Sequence, residues 1–469
     1  MKNYQKQLRR IVVFFVFLMG FSTSATWAQD DAAPWMTFAD FRVDYLHQVV
    51  RGGDLADQED HSWRQSVSVY TRQENEHMDL SMALYGTADA PLTPHASTSP
   101  FYDLNDSPGV PNLKIFQGYA EMDGLLGKKI LGLRVGRQAF IADDIIMFDG
   151  ARLFVHDPQK QWISASAFAG NYVSFYELHN VTETPWGADV ALHPFLPGAE
   201  IYGNVSSLFS RRWNTGWRQD AGKFVYLEAE YGALADWPHH MRAQLSLYPP
   251  WTDFELTGVY YRETFDLDNA ENLAEQRYQF DLRRRTVGQS DWSLENLLFA
   301  PTMPFEEFEG RAALSLFGRV ATISANYLFH RLIDDAPEGW QAGDYTEFGG
   351  GLDLVNPWVN DLTANVAWSG AFETRDDADN NVDTQSVSAA AAKGFLAHKL
   401  VVSAGALWRT YTFFEETLAG THLRADLEYA PVKPFRLAAG YSTDIDDYLN
   451  DLVGADRIDQ THLTMRMDF

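Results

Sequence analysis

The chain has 469 residues, no cysteine, 64 acidic against 37 basic residues and a net charge of -27, with 14% aromatics. The missing cysteines exclude disulfide frameworks, thiolate metal sites, covalent c-type haem attachment and a lipid anchor on cysteine. The acidity argues against any nucleic-acid partner, because phosphate-backbone recognition is built on a basic footprint that releases counterions.

In chain order, the first feature is a short basic stretch with Lys2, Lys6, Arg9 and Arg10, followed by the apolar run from Ile11 to Met19 and a small-residue region ending at Ala28. This reads as an export signal, residues 1–28, with cleavage after Ala28. The run is far short of the roughly 20 apolar residues a spanning helix needs. Beyond it no apolar run approaches that length, so a membrane crossing in residues 29–469 falls to a closed barrel of strands. No domain boundary interrupts that stretch.

From here the chain reads at period two. The N-terminal third offers strands around Phe38 to His47, Ser62 to Arg72, Asp79 to Tyr85, Ile115 to Met122 and Ile130 to Gln138. Between the third and fourth, Pro91 to Pro111 carries five prolines and no periodicity, and reads as one long loop. It is equally compatible with an inward constriction and an external loop. Next comes a polar-apolar alternation through Leu131-Gly-Leu-Arg134-Val-Gly-Arg137-Gln138 and on through Phe148-Asp149-Gly-Ala-Arg152-Leu153. Arg134 alternates with Leu133 and Val135 and is expected to face a lumen. Arg137, Gln138, Asp149 and Arg152 join it as pore-lining candidates, a set of forks and carboxylates for a polar solute. Mutual pairing that merely stabilises the barrel is the competing reading of the same residues.

Positive clusters follow at Arg211-Arg212 and Arg283-Arg284-Arg285, the latter closing a strand from Gln279. His239-His240 is the one adjacent histidine pair. Neighbours on a strand point to opposite faces, so the pair is a poor chelate and reads as a solvated loop. With no His-Glu-x-x-His helix and no Ser/His or Asp/His constellation, no catalytic, metal or cofactor site is expected and the chain is not read as an enzyme.

The C-terminal half shows the alternation most cleanly. Leu423, Ala425, Leu427 and Tyr429 interleave with His422, Arg424, Asp426 and Glu428, and Leu463, Met465 and Met467 with His462, Thr464 and Arg466, up to a terminal Phe469. Connections alternate in length: short at Gly318-Arg319, Asn356 to Asp361, Gly394 to His398 and Ala430 to Pro434; long at Leu332 to Gly343, Glu373 to Asp383, Phe413 to Gly420 and Thr443 to Asp456. With the C-terminus in the periplasm, short turns fall on that side and long acidic loops outside, as in bacterial outer-membrane barrels. Aromatics gather near strand ends, at Trp213, Trp217, Tyr248, Tyr260, Tyr261, Trp408 and Tyr411, as expected of interfacial girdles. The fold class is therefore an all-β transmembrane antiparallel barrel of about 18 strands, with 20 or 22 as alternatives.

Gly136-Arg137-Gln138 followed by Phe148-Asp149-Gly150-Ala151-Arg152-Leu153 resembles the GRQ…FDG(V/A)R pattern of alginate-export-type outer-membrane porins. The likeness covers about 25 residues and implies an eighteen-stranded passive channel with a charged pore. In that family's exporter the lumen is strongly basic, suited to a polyuronate. This chain departs from it by its acidity, which would repel such a polymer, so a cationic or neutral solute fits better. The sequence thus points to an outer-membrane, lipid-embedded channel for passive, charge-selective passage of a small polar solute or oligosaccharide. The alternatives are a barrel sheath for a periplasmic partner such as a multihaem cytochrome, and a polysaccharide exporter.

Overall fold

The computed structural model describes residues 35–52, 59–76, 78–91, 112–125, 129–141, 145–156, 162–173, 184–193, 196–208, 211–234, 237–249, 253–264, 304–333, 344–356, 359–374, 383–413, 416–447 and 456–468. The first strands are β1 (Met36–Arg51), β2 (Glu59–Glu74), β3 (Asp79–Pro91), β4 (Asn112–Asp123), β5 (Leu131–Ile141), β6 (Ile145–His156) and β7 (Ile163–Tyr172). Then come β8 (Trp186–Leu192), β9 (Ala199–Ser207), β10 (Arg211–Ala221), β11 (Val225–Leu234), β12 (Trp237–Leu247), β13 (Phe254–Glu263), β14 (Phe305–Leu316) and β15 (Ala321–Leu332). The circuit finishes with β16 (Asp344–Val355), β17 (Leu362–Thr374), β18 (Asp383–Phe395), β19 (Leu400–Phe413), β20 (Glu416–Val432), β21 (Phe435–Asp446) and β22 (Arg457–Asp468).

Each strand pairs antiparallel with the next, and β22 returns to β1 in register from Asp40↔Asp468 to Arg51↔Arg457. One 22-stranded sheet thus closes on itself and leaves no edge. The strand number is the highest of the alternatives and not the expected 18. All five weakly patterned N-terminal segments are full strands, β1 to β5. In β4 the alternation is blurred in sequence because the β3–β4 ladder shifts register between Tyr85 and Gly86, so that Phe116 is an extra residue and the parity of β4 inverts.

Two smaller expectations also change. The segment from Phe413 to Gly420 is no long loop. Phe413 pairs with Glu416 across a tight hairpin, and Thr412 and Thr417 meet hydroxyl to hydroxyl at 3.3 Å, β-branched residues extending both strands to the tip. His239-His240 sits in β12 and not in a loop, with His240 buried. The signal segment, residues 92–111, the Arg283-Arg284-Arg285 cluster and Phe469 lie outside the described residues.

Both described chain ends lie at one end of the barrel. The connections there are short, from two residues between β20 and β21 to seven between β4 and β5. The opposite end mixes tight hairpins, as between β19 and β20, with spans as long as that from β13 to β14. The expected sorting therefore holds for the termini end, while the long spans between strands are confined to the other.

The two faces of the wall follow from parity. Leu463 pairs with Tyr45 and Ala439, Leu427 with Ala439, and Trp408 with Val387, so apolar residues run round the wall on one face. That face leaves Val135, Leu153, Leu245, Ile323, Val366 and Leu463 exposed, each 43% or more. The other face carries most of the charges, those on the apolar face being largely paired, as Arg331 with Glu306 and Arg51 with Asp459. Which face is concave is fixed by reach: Arg152 on β6 meets Asp189 on β8 over the intervening β7, and Arg409 on β19 meets Asp444 on β21 over β20. Side chains converge like this only toward the axis, so the charged face lines the bore and the apolar face is the outside. Twenty-two strands about 4.8 Å apart give a wall of radius roughly 20 Å, too wide for side chains to fill. Among the described residues no helix is long and apolar enough to cross a membrane.

Candidate functional site

The bore is not uniform. On β5 to β8 the inward positions are bulky and paired. Near the end opposite the termini, Phe140, Ile146, Phe148, Phe168 and Tyr172 form a cluster, each no more than 4% exposed. Phe168 stands 4.4 Å from Phe140 and 4.6 Å from Phe148, ring centre to ring centre. Toward the termini, the same strands hold an ion network. Arg134 donates to Glu121 at 2.5 Å and lies 4.3 Å over the Tyr119 ring. Arg152 donates to Ser166 Oγ at 2.8 Å and to Asp189 at 3.2 Å, and Ser166 in turn donates to Asp189. Glu121, Arg134, Arg152, Ser164, Ser166 and Asp189 line a recess of about 280 Å³ with Phe154 as its apolar side. Two guanidinium groups and two carboxylates in one concave patch offer hydrogen bonds of both kinds to a polar solute.

The five sequence candidates divide here. Arg134, Gln138 and Arg152 occupy inward positions. Arg137 and Asp149 do not: they share parity with Val135 and Leu153 and stand on the outer face. There Arg137 Nε and Nη2 donate to the two oxygens of Asp149, both at 2.7 Å, and Nη1 donates to the Ile115 carbonyl at 2.9 Å. The reason is the β5–β6 register, which sets Arg137 opposite Asp149 as it sets Val135 opposite Ala151. A mutually paired fork on an outer face is less costly than either charge alone. Gln138, 1% exposed, donates to the carbonyls of Arg134 and Gly150 and is a brace, not a free pore group.

The motif around these residues is accordingly a hairpin clamp. Gly136 has φ +125°, and a Cβ there would lie 2.2 Å from the Gly118 carbonyl oxygen. Gly150 faces Gly170 so closely that a Cβ would meet backbone at 2.2 Å. Glycine is required at both.

The wall continues with paired charges on β9 to β12. Tyr202 Oη donates to Glu230 at 2.5 Å and Tyr226 Oη to Glu228 at 3.0 Å. Arg218 and His193 hold Glu200 at 2.5 and 2.9 Å, and His240 lies 3.1 Å from Glu230. On the closing arc His422 joins Arg409 at Asp444, Arg424 and His462 share Asp426, and Arg466 meets Asp40 at 2.6 Å. Sequence reading missed these partners. Their signal was present in motifs such as Tyr226-Leu-Glu228-Ala-Glu230, where carboxylates recur at every second residue, but which Arg each meets is a matter of register.

From β13 to β19 the inward wall is different. Glu307 meets His330 at 2.9 Å, and Glu309 pairs with Arg311. Glu255, Glu347 and Asp353 have no cationic partner among the described residues. Around them the inward positions are small: Ser324, Gly349, Gly351, Ala367, Ser388, Ala390 and Gly405. The result is a low-relief surface with net negative charge, bounded at the end opposite the termini by an inward stack of Tyr261, Phe305, His330 and Tyr345.

No protein-family model matches the chain, and no curated protein matches it in sequence. Among solved structures it is similar to OccK8 (OprE) of Pseudomonas aeruginosa, at 12% identity and a TM-score of 0.46, over 93% of this chain and 98% of that one. It is likewise similar to OccAB3 of Acinetobacter baumannii, at 10% identity and a TM-score of 0.45, over 92% and 99%. OpdK of Pseudomonas aeruginosa, solved with vanillate, aligns at 9% identity and a TM-score of 0.43, over 92% and 98%.

Proposed function

We infer that the barrel lies in a bacterial outer membrane and conducts small polar solutes by diffusion, with its termini end in the periplasm. One observation carries this reading: a closed wall, too wide to fill with side chains, that exposes apolar residues on the outside and charged residues within. Dissolved in water, such an outer face would be an apolar surface far beyond what soluble monomers tolerate. Binding of a polar solute falls to the Arg134, Glu121, Arg152 and Asp189 recess, whose mixed charges orient a solute without holding it tightly. The bare carboxylates of β13 to β16 tilt passage toward cationic and neutral solutes, since a negative low-dielectric wall concentrates cations and repels anions. A strongly anionic polymer is thereby disfavoured as cargo.

Planar-bilayer recording from the purified, detergent-folded protein tests this. Stepwise, ohmic currents at both polarities, with a reversal potential of cation-selective sign in a salt gradient, are the expected result. A folded barrel that inserts yet passes no current overturns the channel reading, and an anion-selective reversal potential overturns the charge assignment.

A further inference from the structure

At the end of the barrel opposite the termini, β1 and β2 gather three donor side chains on the outer face, away from the bore. His47 and His61 are register partners, and their rings stack with centroids 4.3 Å apart and planes within 4°. Glu59 lies two residues before His61 on the same face. Its Oε2 is 3.9 Å from His47 Nε2 and 3.7 Å from His61 Nε2. All three ligand atoms fall within 4.8 Å of one another.

Two further observations give the arrangement direction. His47 Nε2 is buried and has no hydrogen-bond partner. His61 Nδ1 is 2.8 Å from Tyr45 Oη, so that Nδ1 carries the proton and donates whenever Nε2 acts as a ligand. A second hydrogen bond behind a ligating histidine is the usual way its tautomer and ring orientation are fixed. A tetrahedral ion with bonds of about 2.0–2.1 Å spaces its ligand atoms roughly 3.3–3.4 Å apart. The two carboxylate-to-imidazole distances exceed that by about half an ångström, and all three atoms lie within 4.8 Å, so side-chain rotation that turns the two nitrogens toward a common point closes the site. The site is also open to arrivals, the three side chains being 30%, 33% and 57% exposed.

We propose that His47, Glu59 and His61 form a binding site for a divalent transition metal ion, two Nε2 atoms and one carboxylate oxygen with the fourth position left to water. Two imidazoles select Zn2+, Cu2+ or Ni2+ over Mg2+ and Ca2+, which take oxygen ligands. Because the ligands come from neighbouring strands, and β1 is also the strand on which β22 closes the barrel, the ion staples the wall beside its seam. A ligand bound by the folded barrel alone raises its resistance to unfolding. The site is independent of what the bore conducts.

The test uses the full chain without a polyhistidine tag, folded in detergent and freed of metal by chelation, titrated calorimetrically with Zn2+ and then with Mg2+. The expected result is one Zn2+ per chain, a Zn2+-dependent rise in unfolding temperature, and no response to Mg2+. His47→Ala and Glu59→Gln each weaken Zn2+ binding by at least about tenfold and abolish the thermal shift, while Tyr45→Phe weakens it by about tenfold through the lost second bond. Folding of each variant is verified by heat-modifiable gel mobility. Glu59→Gln, an isosteric change at an exposed side chain, serves if His47→Ala fails to fold. Absence of Zn2+ binding by the wild type, or equal affinity in wild type and Glu59→Gln, overturns the proposal.

Discussion

Two stretches of one continuous wall use the same strand geometry for opposite ends. From β5 to β8 the bore is crowded: Phe140, Phe148, Phe168 and Tyr172 pack together, and Arg134 and Arg152 are held by Glu121, Ser166 and Asp189. From β13 to β19 an inward stack of Tyr261, Phe305, His330 and Tyr345 stands only at the end opposite the termini, and below it the wall is nearly bare, with glycine, alanine and serine inward and Glu255, Glu347 and Asp353 without cationic partners among the described residues. The difference teaches that charge in a barrel acts in two ways. Paired, it is spent on holding the wall and shows little field to solution. Unpaired, it costs little in water and acts on whatever passes.

The comparison breaks hardest where packing is tightest. Phe168→Ala removes a ring that is 4% exposed and touches two others, and is expected to cost about 3–5 kcal/mol of unfolding free energy. Leu328→Ala, at a half-buried inward position of β15, is expected to cost well under about 2 kcal/mol. Urea unfolding of the two variants side by side measures the contrast. Similar costs would mean that the crowded wall is no more rigid than the bare one.

A smaller effect is expected at the ion network. Arg152→Gln leaves Asp189 with Ser166 alone and Glu121 with one guanidinium fewer nearby, for a loss of about 1–3 kcal/mol. Its effect on ion selectivity is expected to be a gain in cation preference of about twofold in dilute salt, because Asp189 loses the guanidinium that neutralised it. Combining the unfolding curve with a reversal potential on the same variant separates the two roles.

The particular residues show how far the sequence carries. The alternation of Leu423 to Tyr429 against His422 to Glu428 was readable because outer-face and bore chemistry differ in kind, and it is the pattern that structure and sequence share most closely. The strand number was read only to a choice of 18, 20 or 22, and at β4 the pattern was locally hidden because one extra residue at Phe116 inverts that strand's parity while changing no composition. Arg137 and Asp149, three positions from Arg134 and Arg152 respectively, have the opposite parity in an unbroken register and were misplaced with them toward the bore. Their mutual clamp on the outer face depends on the β5–β6 register, and a register is a relation between strands. His47 and His61 make the point again: fourteen residues apart, unremarked in the sequence, they become stacked neighbours only when β1 pairs with β2.

The finest test of the comparison is electrostatic. Replacing Glu255, Glu347 and Asp353 by their amides, singly and together, changes no packing, since none is buried and none has an ion-pair partner among the described residues. Folding stability should therefore stay within about 0.5 kcal/mol of wild type. In a water-filled bore a unit charge about 8 Å from a permeating ion contributes roughly 0.5 kcal/mol, or about twofold in relative cation occupancy, less at high salt. Each amide should thus lower the cation-to-anion permeability ratio by about that factor in dilute salt, and the triple variant by several-fold, the effect shrinking as ionic strength rises. A triple variant whose reversal potential matches wild type would place the selecting charges elsewhere, on the paired wall, and the division of labour between the two walls would fail even though the barrel still conducts.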